Sequence, residues 1–287
     1  TGNGTAGPFE KKFFETLGVS YEPLFFEPDG RFPNHVPDPL LPQNVEELVR
    51  LMKERPFDLG VSFDGDGDRI LFFTEEGKRL RGDEILALVA RSALKKEGRQ
   101  RILYDIRASR MVREVIEKYD GVPVLAPLGS PVGHTLVKHI MRQEDVQLAG
   151  ELSGHYYLGS PYFYEVPFFI LLEVMKELTQ SKMKMSELIA SLGSKWHHSG
   201  EINFEIGDKK GKMEELARGF LDGKLSRLDG IRIDYPDWWF NARPSANDPV
   251  LRLIVEADSQ DKLEEKISIC QAKLEMSYSY QNRNVLF

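Results

Sequence analysis

The stretch Phe63-Asp64-Gly65-Asp66-Gly67-Asp68-Arg69 decides how the first part of this sequence folds. It follows the apolar run 59–63 and precedes the apolar run 70–73, so it lies between two predicted strands. The three aspartates alternate with glycines, which let the backbone fold tightly enough for alternate side chains to converge. Carboxylate oxygens are hard ligands suited to Mg²⁺ or Ca²⁺, and the final arginine adds a bidentate partner for oxyanions. The stretch therefore predicts a divalent-metal loop that takes part in phosphate chemistry.

Three other interpretations of this stretch stay open. A calcium-binding EF-hand would use the aspartates together with Glu75 in twelfth place, although its sixth position, a glycine in that motif, is Arg69. A phosphotransferase of the haloacid dehalogenase type would use Asp64 as nucleophile and Asp66 as acid, although that motif normally has threonine or valine in place of Asp68. An acidic turn in solvent is the third, but such turns seldom space three aspartates between apolar strands.

Length and composition indicate a soluble globular protein of two or three domains. Of its 287 residues, 41% are hydrophobic and 29% charged, and no apolar run approaches the ~20 residues that span a bilayer. The net charge of −7 argues against a general nucleic-acid surface. A single cysteine, Cys270, cannot form an internal disulfide. We therefore expect a reducing, cytoplasmic location, with neither nucleic acid nor membrane as a partner.

The order of apolar patterns predicts an α/β fold followed by a smaller α+β domain. Before the metal stretch the sequence predicts a helix over 9–17 and a strand over 21–26, and helices and strands alternate from there to Gly193. After Gly193 the predicted elements are mostly strands, with two helices among them. In α/β folds, ligands bind at the carboxyl ends of the strands, and the metal stretch lies at such a strand end.

Two further loops carry polar side chains at predicted strand ends. They are Gly-Glu-Leu-Ser-Gly-His at 150–155 and Arg-Pro-Ser at 243–245. In this order, the three loops resemble those of the α-D-phosphohexomutases, in particular the phosphomannomutase/phosphoglucomutase branch. The resemblance extends through Asn-Gly-Thr-Ala-Gly at 3–7, Val-Gly-His at 132–134 and Leu-Asp-Gly at 228–230, and covers almost the whole chain. Below, residues 64–69 are called the metal loop, 150–155 the sugar loop and 243–245 the phosphate loop.

The resemblance implies an enzyme that moves a phosphoryl group between the 1 and 6 positions of a hexose, through a phosphoserine and a bisphosphorylated sugar. It implies two three-layer α/β domains with mixed sheets. The domain over 1–78 would bind the metal, and the domain over 79–193 would recognise the sugar. A smaller α+β domain with an antiparallel sheet would follow over 194–287 and bind phosphate. The family's phosphoserine lies in a Ser-His-Asn motif, which this sequence lacks. We therefore expect a fragment that is inactive alone and whose missing partner is the N-terminal phosphoserine domain.

Carried over by position, the resemblance also implies the roles of individual residues. Arg69 would steady the phosphoserine, and His155 is a candidate proton-transfer group, since its ordinary pKa is near neutral. The implied ligands of Mg²⁺ are Asp64, Asp66 and Asp68. The implied contacts of the hexose phosphate are Glu151 and Ser153 at the sugar hydroxyls, His134 in the Val-Gly-His loop, and Arg243, Ser245 and Asn247 at the phosphate that does not react.

The sequence departs from the family pattern at several of these places. Pro131 and Val132 stand where many relatives have a lysine near the sugar, and we consider Arg107 or Lys138 as replacements. Leu152 and His134 differ from the glucosamine mutases, which favours glucose or mannose phosphate as substrate.

Two functions of other classes stay open beside the mutase. One is a noncatalytic phosphosugar-binding protein that naturally lacks the first domain, and the other is an aspartyl-phosphate phosphatase that uses Asp64. A Ser-His-Asn loop encoded upstream of Thr1 would favour the mutase, whereas phosphate release without a serine would favour the phosphatase.

Overall fold

The computed structural model describes residues 1–126, 133–245 and 249–275, and the elements given below belong to these ranges. The chain divides into two units. The first consists of Thr1–Ala108, Val112–Leu125 and Lys138–Gly193, and the second of Ser109–Met111, Ala126–Val137 and Ser194–Phe287. Within the described ranges, none of the helices has the length and apolar character needed to cross a membrane.

The first unit opens with two helices and a two-stranded hairpin. These elements are α1 (Gly7–Leu17), a 3₁₀ turn (Pro42–Val45), α2 (Glu46–Glu54), β1 (Gly60–Phe63) and β2 (Ile70–Phe73). β1 and β2 are antiparallel, and their last pair joins Phe63 to Ile70. The metal loop is therefore the connection between two paired strands. Every residue of β2 is buried, so the hairpin is anchored in the core of the unit.

The rest of the first unit is built around a mixed sheet. Its strands, in the spatial order β4-β3-β5-β6-β7, are β3 (Arg101–Asp105), β4 (Val122–Ala126), β5 (Leu148–Gly150), β6 (Tyr156–Leu158) and β7 (Tyr164–Glu165). β3 and β5 are parallel, whereas β6 is antiparallel to both of its neighbours. The helices in this part of the chain are α3 (Gly82–Glu97), α4 (Arg110–Lys118), α5 (Gly133–Gln143), α6 (Pro167–Ser181) and α7 (Met185–Ala190). Helix α3 is the most buried, because apolar side chains cover nearly all of its circumference.

The second unit is an antiparallel sheet with helices packed on one face. Its strands are β8 (His197–His198), β9 (Ile202–Glu205), β10 (Lys224–Ser226), β11 (Ile231–Asp234), β12 (Trp238–Pro244) and β13 (Val250–Ala257). The spatial order is β10-β11-β12-β13-β8, and β9 also pairs with β13. Alternate residues such as Phe240 and Leu253 form a core with the helices α8 (Lys209–Arg218) and α9 (Gln260–Glu275). The residues between them point to the opposite face, which is mainly polar but includes the buried side chains of Trp239 and Ile254.

These elements confirm the predicted fold class, α/β followed by a smaller α+β domain with an antiparallel sheet. A mixed sheet was expected in both α/β domains; among the described residues it lies within 79–193, whereas the strands of 1–78 form the antiparallel pair β1 and β2. The strand predicted over 21–26 is wrong. Pro23 has no N–H to donate to a strand ladder, and Phe25 has a φ of 55°, which lies in the left-handed region. The aromatic rings of this segment stack on one another and on helix α1 instead. The centroid of Tyr21 lies 5.1 Å from that of Phe14 and 6.0 Å from that of Phe26.

Candidate active site

The metal loop brings the three predicted carboxylates together. One carboxylate oxygen from each of Asp64, Asp66 and Asp68 lies within 4.8 Å of the other two. Asp64 is buried, Asp68 is half-buried and Asp66 is exposed, so the cluster opens to solvent on one side. Clustered carboxylate oxygens with an open side suit a small divalent cation, which commonly keeps water or phosphate oxygens among its ligands. These residues can hold a metal ion.

Asp64 and Arg69 fix the shape of the metal loop. Oδ1 of Asp64 accepts hydrogen bonds from the backbone N–H groups of Gly67 and Arg69, both at 3.1 Å, and Oδ2 accepts one from Arg69 Nε at 2.5 Å. Burial raises the pKa of Asp64 above its ordinary value, although the bonds and charge of Arg69 act in the opposite direction. Arg69 Nη1 also lies 3.5 Å from Asp38 Oδ1. The guanidinium group is thus held beside the carboxylate cluster.

A β-bridge joins the metal loop to the sugar loop. Arg69 pairs with His155, and the backbone N–H of Ile70 donates to the carbonyl of Gly154 at 3.1 Å. Gly154 has a φ of 94°, and a Cβ added to it would lie 2.8 Å from Leu71. Glycine is therefore required for this close approach. Two loops that are far apart in the sequence form one site within the first unit.

The side chain of His155 contacts residues of both loops. Its Nε2 lies 3.4 Å from Asp68 Oδ1, and its Nδ1 lies 3.0 Å from Ser153 Oγ and 3.8 Å from Glu151 Oε1. Burial lowers the pKa of His155, but the hydrogen bond to Asp68 and the charges of Glu151 and Asp68 outweigh it, so the pKa is raised. His155 is therefore placed between a candidate metal ligand and a candidate sugar ligand.

The carboxylate of Glu151 is held by neighbouring side chains. Glu151 is 8% exposed, and its Oε1 accepts a hydrogen bond from the Tyr157 hydroxyl at 2.5 Å. Ser153 Oγ donates to Oε2 at 3.4 Å, and Arg107 Nη2 lies 4.0 Å from the same oxygen. Tyr157 was missed by sequence reasoning. Its position two residues after His155 was the available signal, since alternate residues of a strand point to the same face.

The end of strand β3 positions both Arg107 and the sugar loop. Asp105 is fully buried, and its Oδ2 accepts hydrogen bonds from Arg107 Nη2 at 2.7 Å and from the Leu152 backbone N–H at 3.0 Å. Burial raises the pKa of Asp105, but the charge and hydrogen bonds of Arg107 outweigh this and lower it. Of the two proposed replacements for the missing lysine, Arg107 lies against Glu151, whereas Lys138 Nζ pairs with Glu165 at 2.8 Å.

Helix α3 supports the sugar loop from the other side. A Cβ added to Gly82, the first residue of α3, would lie 2.3 Å from the carbonyl oxygen of Glu151. The Tyr156 hydroxyl donates to the Gly82 carbonyl at 3.2 Å. A larger residue at position 82 would therefore displace the loop.

The phosphate loop lies in the second unit, at the end of β12. Arg243 is 6% exposed, and its Nη2 donates to Glu201 Oε1 at 2.8 Å. Ser245 is also buried, and its backbone N–H donates to the Val250 carbonyl at 2.9 Å. The predicted residue Asn247 and the side chain of His134 lie outside the described residues.

The EF-hand interpretation is wrong. A calcium loop over 64–75 would be followed directly by a helix, but residues 70–73 form strand β2 and the next helix begins at Gly82. The carboxylate of Glu75 accepts hydrogen bonds from the backbone N–H of Ser186, at 3.1 Å, and from its hydroxyl. Glu75 is thus engaged by helix α7, and the metal-ligating group found among the described residues consists of the three aspartates alone.

Comparison with known proteins identifies relatives along nearly the whole chain. Residues 1–77 match the phosphoglucomutase/phosphomannomutase alpha/beta/alpha domain II, residues 81–195 match domain III, and residues 201–267 match the C-terminal domain. A phosphomannomutase of Methanocaldococcus jannaschii is 41% identical over 265 residues, which are 92% of this chain and 58% of that protein. A phosphomannomutase/phosphoglucomutase of Pseudomonas aeruginosa is 34% identical over 268 residues, 92% of this chain and 57% of that protein.

A solved structure has the same fold. The crystal structure of a phosphoglucomutase/phosphomannomutase family protein from Burkholderia thailandensis matches with a TM-score of 0.81 and 29% identity. The match covers 96% of this chain and 59% of that protein. This chain thus spans less than two thirds of the length of each of these three relatives.

Proposed function

Because the chain belongs to the phosphoglucomutase/phosphomannomutase family of α-D-phosphohexomutases, we propose that its complete protein transfers a phosphoryl group between the 1 and 6 positions of glucose or mannose phosphate. The transfer would use a phosphoserine outside this sequence and a bisphosphorylated sugar. The observation that carries the proposal is the bridge between Arg69 and His155. It joins a loop suited to metal and phosphate with a loop suited to sugar hydroxyls.

The metal of this site would be Mg²⁺, held by Asp64, Asp66 and Asp68. The fit rests on three hard carboxylate donors within 4.8 Å of one another, with one side of the cluster open. When bound, Mg²⁺ would neutralise negative charge on phosphoryl oxygens.

The side chains around the metal loop have chemistry suited to binding and proton transfer. Arg69 offers a rigid fork of N–H donors next to the cluster and would hold phosphoryl oxygens. Glu151, fixed by Tyr157, would accept hydrogen bonds from sugar hydroxyls. His155 lies within reach of Ser153 and Asp68 and would hold or release the proton of the reacting hydroxyl.

The phosphate loop would bind a phosphate group that does not react. Arg243 supplies a guanidinium group and Ser245 a hydroxyl in neighbouring positions of the second unit. A guanidinium group and a hydroxyl together satisfy several oxygens of one phosphate.

The contacts of Asp64 favour the mutase over a phosphatase that would use this residue as nucleophile. Both of its oxygens accept hydrogen bonds, three in all, from Gly67 and Arg69. Two of these bonds occupy Oδ1, and the one lone pair left on Oδ2 would be taken by Mg²⁺, so neither oxygen would remain for attack on phosphorus.

The proposal is tested by incubating the complete protein with Mg²⁺ and glucose 1-phosphate or mannose 1-phosphate and following the products by ³¹P NMR. We expect the 6-phosphate to appear. Asp66→Asn should slow its appearance by at least about tenfold, since the metal would lose a charged ligand. The exposed Glu76, changed to Gln, is the matched control and should leave the rate unchanged.

The same spectra separate the alternatives. Release of inorganic phosphate without any 6-phosphate would support the aspartyl-phosphate phosphatase. Perturbed substrate resonances without any product would support a noncatalytic phosphosugar-binding protein. Either result would overturn the mutase proposal.

A further inference from the structure

Two arginines lie directly opposite each other on the polar face of the second unit's sheet. Arg243 of β12 pairs with Arg252 of β13 in the register of the two strands. Cross-strand partners project from the same face, so their guanidinium groups are neighbours. Like charges in this arrangement destabilise a sheet unless an anion lies between them.

Glu201 supplies negative charge to both arginines. Its Oε1 accepts a hydrogen bond from Arg243 Nη2 at 2.8 Å, and its Oε2 accepts one from Arg252 Nη1 at 3.2 Å. The side chain of Arg243 is 7% exposed, whereas those of Arg252 and Glu201 are each 25% exposed. One carboxylate thus bridges a buried and a partly exposed guanidinium group.

Arg243 retains capacity to bind an anion. Its buried Nε makes no hydrogen bond to any residue that the structure describes and lies 4.0 Å from Asp229 Oδ2. A buried N–H without a hydrogen bond is costly, and an acceptor oxygen could reach this one only if the side chains around Arg243 rearranged.

The side chain of Glu201 can move away from the two arginines without disturbing the sheet. It comes directly before β9, and the first residue of that strand paired with β13 is Ile202, opposite Leu253. The glutamate therefore lies outside the ladder, and a change of its rotamer leaves the paired backbone in place.

We propose that Arg243 and Arg252 together bind a phosphate monoester dianion and that Glu201 competes with the phosphate for them. The proposal rests on the proposed function, because the phosphate would be that of the hexose phosphate. It adds Arg252 as a binding residue and Glu201 as a residue that weakens binding. The oxygens of a phosphate dianion can accept from both guanidinium groups, and Arg243 also faces the carboxylate of Asp229, 4.0 Å from its Nε.

The test is calorimetric titration of residues 1–287 with inorganic phosphate. Arg252→Gln should raise the Kd about tenfold, because one charge-assisted hydrogen bond contributes roughly that factor. Arg227→Gln is the matched control, since Arg227 is an exposed arginine of the same unit paired with Glu214. The Kd of this control should remain within about twofold of the wild-type value.

Replacing the competing carboxylate of Glu201 should change the Kd for phosphate in the opposite direction. Glu201→Gln should lower the Kd for phosphate about three- to tenfold, because the anion no longer displaces a bound charge. Glu214→Gln is its control and should have no effect, since Glu214 pairs with Arg227 instead. A merely structural role for Glu201 would give weaker binding, the reverse of the expected change.

Three results would overturn the proposal: no phosphate binding by the wild-type chain, an unchanged Kd in Arg252→Gln, or weaker binding in Glu201→Gln. If Arg252→Gln does not fold, Arg252→Lys replaces it. Lysine keeps the charge but loses the fork of donors, so its Kd should still exceed that of wild type, and an unchanged Kd would overturn the proposal. Because inorganic phosphate binding requires no turnover, a complete protein without mutase activity would overturn the proposed function alone.

Discussion

Glu151 can bind a sugar hydroxyl in a defined position only if its carboxylate has one orientation. Tyr157 supplies that restraint, because its buried hydroxyl donates to Oε1 at 2.5 Å. Arg107 adds positive charge 4.0 Å from Oε2 and is itself fixed by Asp105. At the scale of single residues, the candidate site therefore depends on side chains that position the carboxylate as well as on the carboxylate itself.

Tyr157→Phe should lower the free energy of unfolding by about 1.5–3 kcal/mol, because a hydrogen bond to a charged, buried carboxylate is lost. Urea unfolding measures this change. Tyr162→Phe is the control, since Tyr162 is 55% exposed, and its effect should stay within about 0.5 kcal/mol. Equal stability of the two variants would show that the Tyr157 hydroxyl does not hold Glu151.

Sequence reasoning predicted the carboxylates of the candidate site, but it missed Tyr157 and considered Arg107 only as a replacement for a lysine. Asp64, Asp66 and Asp68 were predicted as metal ligands because one short loop spaces them regularly. The contacts of Arg107 and Tyr157 with Glu151 depend on how β3 and β6 are arranged around β5, which local patterns do not specify. Such contacts become visible only when the strands are paired.

At the scale of elements, short apolar runs were reliable where their backbone could pair. The runs 59–63 and 70–73 were predicted as strands, and β1 and β2 form there. The run 21–26 has similar apolar content but contains Pro23, and the backbone of Phe25 is left-handed. Its aromatic side chains are half-buried through ring packing, so hydrophobicity alone did not distinguish a strand from an irregular segment.

Helix α1 carries a buried acid whose ionisation should reduce stability. Glu10 is 2% exposed, and burial raises its pKa from 4.5 to about 7, against an opposing effect of the Thr1 amino group. The folded protein thus binds this proton more tightly than the unfolded chain. The stabilisation is present below about pH 4.5 and is lost as the pH rises through about 7.

Glu10→Gln should therefore increase stability relative to wild type at about pH 8, by up to about 3 kcal/mol, and change it little at about pH 4. Urea unfolding at the two pH values measures the difference. Glu15→Gln, at an exposed position of the same helix, should show no such pH dependence. A Glu10→Gln effect that is the same at both pH values would show that folding does not raise the pKa of Glu10.

At the scale of the whole molecule, the candidate site residues are divided between the two units. The metal loop and the sugar loop belong to the first unit, and the phosphate loop belongs to the second. The order of these loops was predictable because each motif is short and contiguous. The joining of the first two loops was not, because the bridge between Arg69 and His155 forms only after β2 and the sugar loop have come together.

The distribution of tryptophan allows the two units to be followed separately. All three tryptophans, Trp196, Trp238 and Trp239, belong to the second unit, whereas the metal loop belongs to the first. During thermal unfolding, tryptophan fluorescence should report the second unit, and far-UV ellipticity should report both.

Mg²⁺ at ten times its Kd should stabilise the first unit by about 1.4 kcal/mol, raising the ellipticity midpoint but not the fluorescence midpoint. Asp66→Asn should abolish that shift. If Mg²⁺ raised both midpoints equally, the units would unfold as one cooperative body and the metal would stabilise the whole chain.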